Sequence, residues 1–154
     1  MNDSQLAFVK EMRSAAMDVG ASDWIASWFA AVACLESGWG RYIPADSHNP
    51  IGYHWLPGTG WDFAVAKEGM TGNRQRYRKF RDYAHAARSW LYLVHQSSIP
   101  AYVAARVHSP GHTEPERYAW MLAFSKGYCP ADPQHGVKVT NIYRRIERGL
   151  LDDR

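Results

Sequence analysis

A chain of 154 residues, 46% of them hydrophobic, can bury one core and is too short for two, so 1–154 reads as a single domain. Charged residues at 21% and aromatics at 14% exclude a disordered chain, and the formal charge of +3 suits an anionic polymer, nucleic acid or cell wall, without choosing between them. Met1–Gly20 carries Asp3, Lys10, Glu11, Arg13 and Asp18, which leaves no core for a Sec signal peptide. No segment approaches the roughly 20 apolar residues that span a bilayer, so no membrane insertion is expected.

Leu6, Phe8, Val9, Met12, Ala15, Ala16 and Val19 recur at helical spacing ahead of Gly20, which predicts an amphipathic helix over Ser4–Val19. Ser22 is placed to cap a second helix. It runs Trp24, Ile25, Trp28, Phe29, Ala31, Val32, Leu35 up to Gly38, and being apolar all round it should be the central, buried one. From Trp39 to Trp61, Gly, Pro and aromatics around His48 and Asn49 indicate loop. Phe63–Glu68 and Arg74–Phe80 bracket a Gly69–Asn73 turn and predict a short hairpin. Ala84–Gln96 predicts a third helix, with a short one after Pro100. Thr113 and Glu116 form a capping-box pattern that opens a helix to Lys126 with Gly127 as its stop. Asp132 and Pro133 read as cap and first residue of a last helix striped by Val139, Ile142, Ile146 and Leu150. The fold class expected is mainly α with one small β-hairpin.

In such a chain a carboxylate in the last turn of the apolar central helix is conspicuous. Both desolvation and the negative helix end oppose ionisation of Glu36, and a carboxylic acid kept protonated is what glycosidic cleavage needs, because the leaving oxygen must take a proton. A structural ion pair is the competing role. In the aromatic loop, Tyr53, Trp55 and Trp61 could stack on sugar faces while Asn49 bonds their polar groups.

Other chemistries fare worse. None of His48, His54, His85, His95, His108, His112 and His135 falls in a metal-binding spacing, so neither metal nor cofactor is expected. Cys34 and Cys129 lack C-x-x-C spacing, leaving one bridge or two free thiols open. The basic and aromatic run Arg74–Arg81 could serve a nucleic-acid-binding module, although a solvated strand face is the ordinary role of such a run. A catalytically inactive glycan-binding module is the other alternative to an enzyme.

Four segments together resemble glycoside hydrolase family 73, the glucosaminidase-type peptidoglycan hydrolases: Ala33-Cys34-Leu35-Glu36-Ser37-Gly38-Trp39-Gly40, His48-Asn49-Pro50-Ile51-Gly52-Tyr53, Lys79-Phe80-Arg81-Asp82-Tyr83, and Gly127-Tyr128 with Asp132-Pro133. The chain departs from the family's habits at Pro50-Ile51 and His54. The resemblance implies a lysozyme-like helical domain that cuts β-1,4 bonds of the glycan strand, most often as an N-acetylglucosaminidase, with a muramidase as the alternative. It implies Glu36 as general acid, Glu68 on the hairpin as assisting carboxylate, and Tyr128 lining the site. It also implies that Cys34 and Cys129 face one cleft and pair after export. Compact members of the family serve as type VI secretion effectors and phage lysis enzymes. This implies action in the bacterial periplasm or wall after export without a Sec signal, and, for an effector, a cognate immunity protein plugging the cleft.

Overall fold

The computed structural model describes residues 1–67, 72–96 and 113–152. Within them lie five helices, α1 (Asp3–Met17), α2 (Asp23–Ser37), α3 (Tyr83–Gln96), α4 (Glu114–Tyr128) and α5 (His135–Asp152), and one hairpin of β1 (Phe63–Lys67) and β2 (Arg74–Arg78). The short helix expected after Pro100, and Glu68, lie outside the described residues.

Chain entry into α1 is set by Asn2, whose side chain accepts from the Gln5 N–H at 2.9 Å while the Gln5 side chain reaches back to the Asn2 N–H. The helix stops at Met17, two residues before the expected end, and Gly20 turns the chain at φ +94°. Ser22 takes the N-cap position of α2 with an extended backbone, but its side chain makes no capping bond.

Twelve of the fifteen residues of α2 are buried, as its all-round apolar surface predicts, and it packs between α1 and α5. The centre is aromatic: Trp28 stands edge-on to Trp90 and Phe124, with ring centres 5.1 and 5.3 Å away, and stacks on Trp24 at 6.0 Å. Edge-to-face rings at these separations add attraction beyond the area they bury.

The hairpin is antiparallel and pairs Phe63 with Arg78 and Lys67 with Arg74. Residues 53–55, expected as plain loop, pair along the other edge of β2: the Trp55 N–H donates to the Arg76 carbonyl at 2.9 Å and the Arg78 N–H to the Tyr53 carbonyl at 2.8 Å. Two helix boundaries also move. Gly127 sits inside α4 rather than stopping it, and Cys129 is the cap, because no left-handed turn follows this helix. Helix α5 starts at His135, and Asp132 instead closes a turn in which its carbonyl accepts from the His135 N–H at 3.0 Å.

Candidate active site

Glu36 lies one residue from the C-terminus of α2, where the helix gives way to a sharp reversal. Gly38, Trp39 and Gly40 all have positive φ, at 57°, 63° and 84°. Ser37 braces them: its hydroxyl donates to the Ala33 carbonyl at 2.6 Å and accepts from the Gly40 N–H at 2.8 Å. The reversal directs the chain away from the helix end and leaves Glu36 facing a cleft of about 190 Å³. Tyr42, Pro44, Asn49, Gly52, Ala66, Lys67 and Tyr77 line the rest of it, so among the described lining residues Glu36 is the one carboxylate.

The hairpin gives the cleft Ala66 and Tyr77 from one face, and Lys67 at the end of β1. Ala64, Ala66, Gln75 and Tyr77 share the half-buried face, and their register pairs are Ala64 with Tyr77 and Ala66 with Gln75. The opposite face carries Phe63, Val65, Arg76 and Arg78. There the Arg76 guanidinium lies 5.3 Å from the Trp55 ring centre and 4.7 Å from that of Phe63, while Arg78 lies 3.3 Å from Trp61 and 4.8 Å from Phe80. Two arginines of the basic and aromatic run, Arg76 and Arg78, are therefore engaged by rings within the fold.

The aromatics named from sequence fall on different sides of that division. Trp55 and Trp61 belong with the arginine face: they line a separate hollow with His54, Leu56, Thr59 and Arg78, and the Trp55 indole N–H donates to the Trp61 carbonyl at 2.6 Å. Tyr53 packs between Phe80 and Tyr128, each ring centre 6.1 Å away, and burial pushes its hydroxyl above the ordinary tyrosine range despite the nearby Arg78 charge. Tyr128 donates its hydroxyl to the Ile51 carbonyl at 3.0 Å, and burial holds that hydroxyl well above its usual range, with Tyr53 and Glu36 acting in the same direction. Asn49 reaches the cleft wall, yet its amide is committed to the backbone. It donates to the carbonyls of Tyr53 at 2.8 Å and Arg78 at 2.9 Å, and accepts from the Tyr53 N–H at 3.1 Å. Its function in the fold is to clasp the loop to β2.

Two residues that the sequence did not single out complete the arrangement. Tyr42 is 75% exposed and lines the cleft beside Glu36. Loop composition drew attention instead to the tryptophans further on. His135, 99 residues from Glu36 in the chain, brings Nε2 to 2.8 Å from Glu36 Oε1, with its side chain only 2% exposed against 27% for the glutamate. No sequence spacing signals such a contact.

Cys34 and Cys129 stand unbridged in this structure. Cys34 points into the apolar core, where burial pushes its thiol up to about 12, whereas Cys129 caps α4 and lines a surface groove with Pro130 and Asp132. A larger hollow of about 500 Å³ between α4 and α5 is lined by Glu114 and Glu147 together with Arg117, Arg144 and Arg148; Glu114 and Arg144 stand 4.0 Å apart and Arg117 donates to the Tyr143 hydroxyl, so its carboxylates sit among arginines rather than at the end of a buried helix.

Comparison with solved structures finds the same architecture in other chains. The chain superposes on the peptidoglycan hydrolase of Sphingomonas sp. A1 with a TM-score of 0.73 and 22% identity, covering 97% of this chain and 95% of that one. For the glycoside hydrolase domain of Salmonella typhimurium FlgJ the values are 0.70 and 19%, over 98% and 92% of the two chains. For the catalytic domain of the Listeria monocytogenes autolysin Auto they are 0.63 and 16%, over 96% and 86%. At these identities the likeness carries the fold, a lysozyme-like arrangement of helices with one small sheet. No curated protein matches the sequence. The family model described as "Glucosaminidase: Mannosyl-glycoprotein endo-beta-N-acetylglucosaminidase" matches residues 14–148, nearly the whole chain, and the protein accordingly belongs to the glucosaminidase family of glycoside hydrolases.

Proposed function

We propose that this chain hydrolyses the β-1,4 glycosidic bonds of peptidoglycan, as an N-acetylglucosaminidase, with Glu36 as its general acid. The observation that carries it is a single glutamate in the last turn of a buried helix, its carboxyl facing a cleft whose other described lining residues bear no negative charge. The glycan strand lies along the cleft. As the C1–O bond breaks, Glu36 passes its proton to the leaving oxygen, and positive charge develops on the ring oxygen and C1. Water then adds at C1 and gives its proton to a base. Glu68 is proposed for that step or for steadying the charge. Its support is the resemblance, together with its place in the chain directly after Lys67, which lines the cleft. Tyr42 and Tyr77 offer rings to sugar faces, and the small side chains of Gly52 and Ala66 leave room for them.

The test is digestion of purified sacculi followed by mass spectrometry of the fragments. Reducing-end N-acetylglucosamine is expected, and reducing-end muramic acid would make the enzyme a muramidase. Glu36→Gln should fold normally and lose at least about a hundredfold in rate, since it keeps shape and removes the transferable proton. Wild-type turnover in that variant would overturn the mechanism. Glu68→Gln should lose orders of magnitude if it is the base. A loss of only a few fold would assign that work to the substrate's acetamido group.

The site of action proposed is the bacterial periplasm or wall, with delivery as a type VI secretion effector or phage lysis enzyme. An effector would meet a cognate immunity protein seated over the cleft. Expression directed to the periplasm should lyse cells and cytoplasmic expression should not. Equal harmlessness in both would count against it.

A further inference from the structure

The sequence at Glu36 supplies an acid but nothing that decides which of its two oxygens carries the proton. A terminal carboxyl torsion is broad and two-fold, so an unheld glutamate would spend its time between orientations with either oxygen towards the cleft. The fold removes that freedom from one side. His135 is the first residue of α5, and its backbone N–H is tied to the Asp132 carbonyl at 3.0 Å. Asp132 is itself anchored, its carboxylate accepting from Lys138 at 2.7 Å and from the Gln134 N–H at 3.0 Å. The imidazole packs against the Tyr128 ring, 5.5 Å between centres, and Tyr128 is pinned through its hydroxyl to the Ile51 carbonyl. Out of this rigid surround, Nε2 reaches Oε1 of Glu36 at 2.8 Å.

On the other side of the carboxyl is Gly52, at φ +67°, so close that a Cβ built there would stand 3.5 Å from Oε2 and 4.0 Å from the Glu36 Cβ. Oε2, which His135 does not hold, is thus the oxygen beside Gly52, a residue that lines the cleft. The histidine's own protonation pattern follows from burial. Nδ1 is buried with no hydrogen-bond partner among the described residues. Leaving a buried N–H unsatisfied is costlier than leaving a ring lone pair so, and a bare Nε2 would set its lone pair against a carboxylate oxygen.

We propose that His135 is a positioning residue for Glu36: its Nε2–H donates to Oε1, so that Oε2 is the oxygen that carries the proton into the cleft. The inference rests on Glu36 being the general acid. Before the reaction, Oε1 is the carbonyl-like oxygen that accepts from His135, and Oε2–H points at the glycosidic oxygen. The proton leaves Oε2 as the C1–O bond breaks, and the carboxylate that remains keeps the His135 N–H on Oε1.

Kinetics on sacculi and melting temperatures of wild type, His135→Leu, His135→Gln, Glu36→Gln and the double variant His135→Leu with Glu36→Gln test this. His135→Leu should lose about ten- to a hundredfold in kcat with KM changed by no more than about twofold, the pattern of a misaimed acid rather than a lost substrate contact. His135→Gln, whose amide nitrogen can stand near the Nε2 position, should recover most of the loss at a similar melting temperature. The double variant should be no slower than Glu36→Gln alone. Nitrogen-resolved NMR of the wild-type imidazole should show a proton on Nε2, and this readout needs neither activity nor a variant that folds. A bare Nε2, a folded His135→Leu with wild-type kcat, or a Gln variant as slow as Leu at unchanged stability would each overturn the positioning role. An inactive Glu36→Gln beside an unimpaired His135→Leu would leave the acid in place and remove only His135. An active Glu36→Gln would remove the acid itself, with it the role argued for His135, and the Nε2 spectrum would then report only whether the contact exists.

Discussion

Gly38 shapes the rim of the cleft by having no side chain. A Cβ there would come within 2.7 Å of the Tyr42 ring, and its φ of +57° is one that other residues adopt at a cost. One edge of the ring therefore lies against the backbone at the end of α2, where the Tyr42 N–H also donates to the Ser37 carbonyl at 2.9 Å, while the residue stays largely exposed. A pre-set, exposed ring loses little freedom when a sugar stacks on it. Tyr42→Ala is expected to raise KM about tenfold, the equivalent of about 1.4 kcal/mol of ring contact, and to leave kcat nearly unchanged. Steady-state kinetics on sacculi will show it. An unaltered KM would take Tyr42 out of substrate binding. The same spacing logic explains why Tyr42 escaped notice in the sequence: exposure and proximity to Glu36 both depend on the left-handed reversal at 38–40, whereas composition alone made Trp55 and Trp61 the more prominent candidates.

Asp82, in the Lys79–Tyr83 segment, works as an element boundary. Its carboxylate accepts from the His85 N–H at 2.7 Å and its carbonyl from the Ala86 N–H at 3.2 Å, which makes it the N-cap of α3. The His85 N–H, with the Arg81 side chain adding to it at 2.9 Å, holds the Asp82 carboxyl below the usual carboxylate range. A carboxyl with a depressed pKa in the fold contributes stability above its unfolded value, about pH 4, and loses it as pH falls through the lower folded value. Asp82→Asn should accordingly melt a few degrees lower than wild type near neutrality, and the gap should close as pH drops below about 4. Thermal melts across that range provide the check, and a gap that is constant with pH would show that the charge contributes nothing. The hairpin gives a parallel lesson. Alternation predicted both strands, but which face meets the cleft depended on residues 53–55 pairing with the free edge of β2, a contact that loop composition does not announce.

At the scale of the whole molecule, the aromatic centre around Trp28 is what anchors α2 beneath the end that carries Glu36. Trp28 is fully buried and contacts Trp24, Trp90 and Phe124, so it joins α2, α3 and α4 in one cluster. Trp28→Ala should cost about 3–5 kcal/mol, the transfer of the ring plus a cavity that three fixed neighbours cannot close. Denaturant unfolding with an unchanged slope would measure it. A loss under about 1 kcal/mol would mean that the helices relax into the space.

The sequence by itself determined the five described helices to within a few residues at their ends, because periodicity and caps are local: Trp24 through Leu35 are apolar nearly all round and read as a central helix, and Gly38 could end it in a left-handed turn. For the same reason it made Glu36 stand out, a carboxylate where an apolar residue would be cheaper. Tertiary structure alone decided the company that carboxylate keeps. His135 meets it across 99 residues of chain, Gly52 approaches its other oxygen because a loop is clasped by Asn49, and the aromatics sort onto two faces only once β2 has a partner on each edge. Such contacts have no period and no fixed spacing. They arise where separately formed elements pack together, and they appear only when the chain has closed on itself.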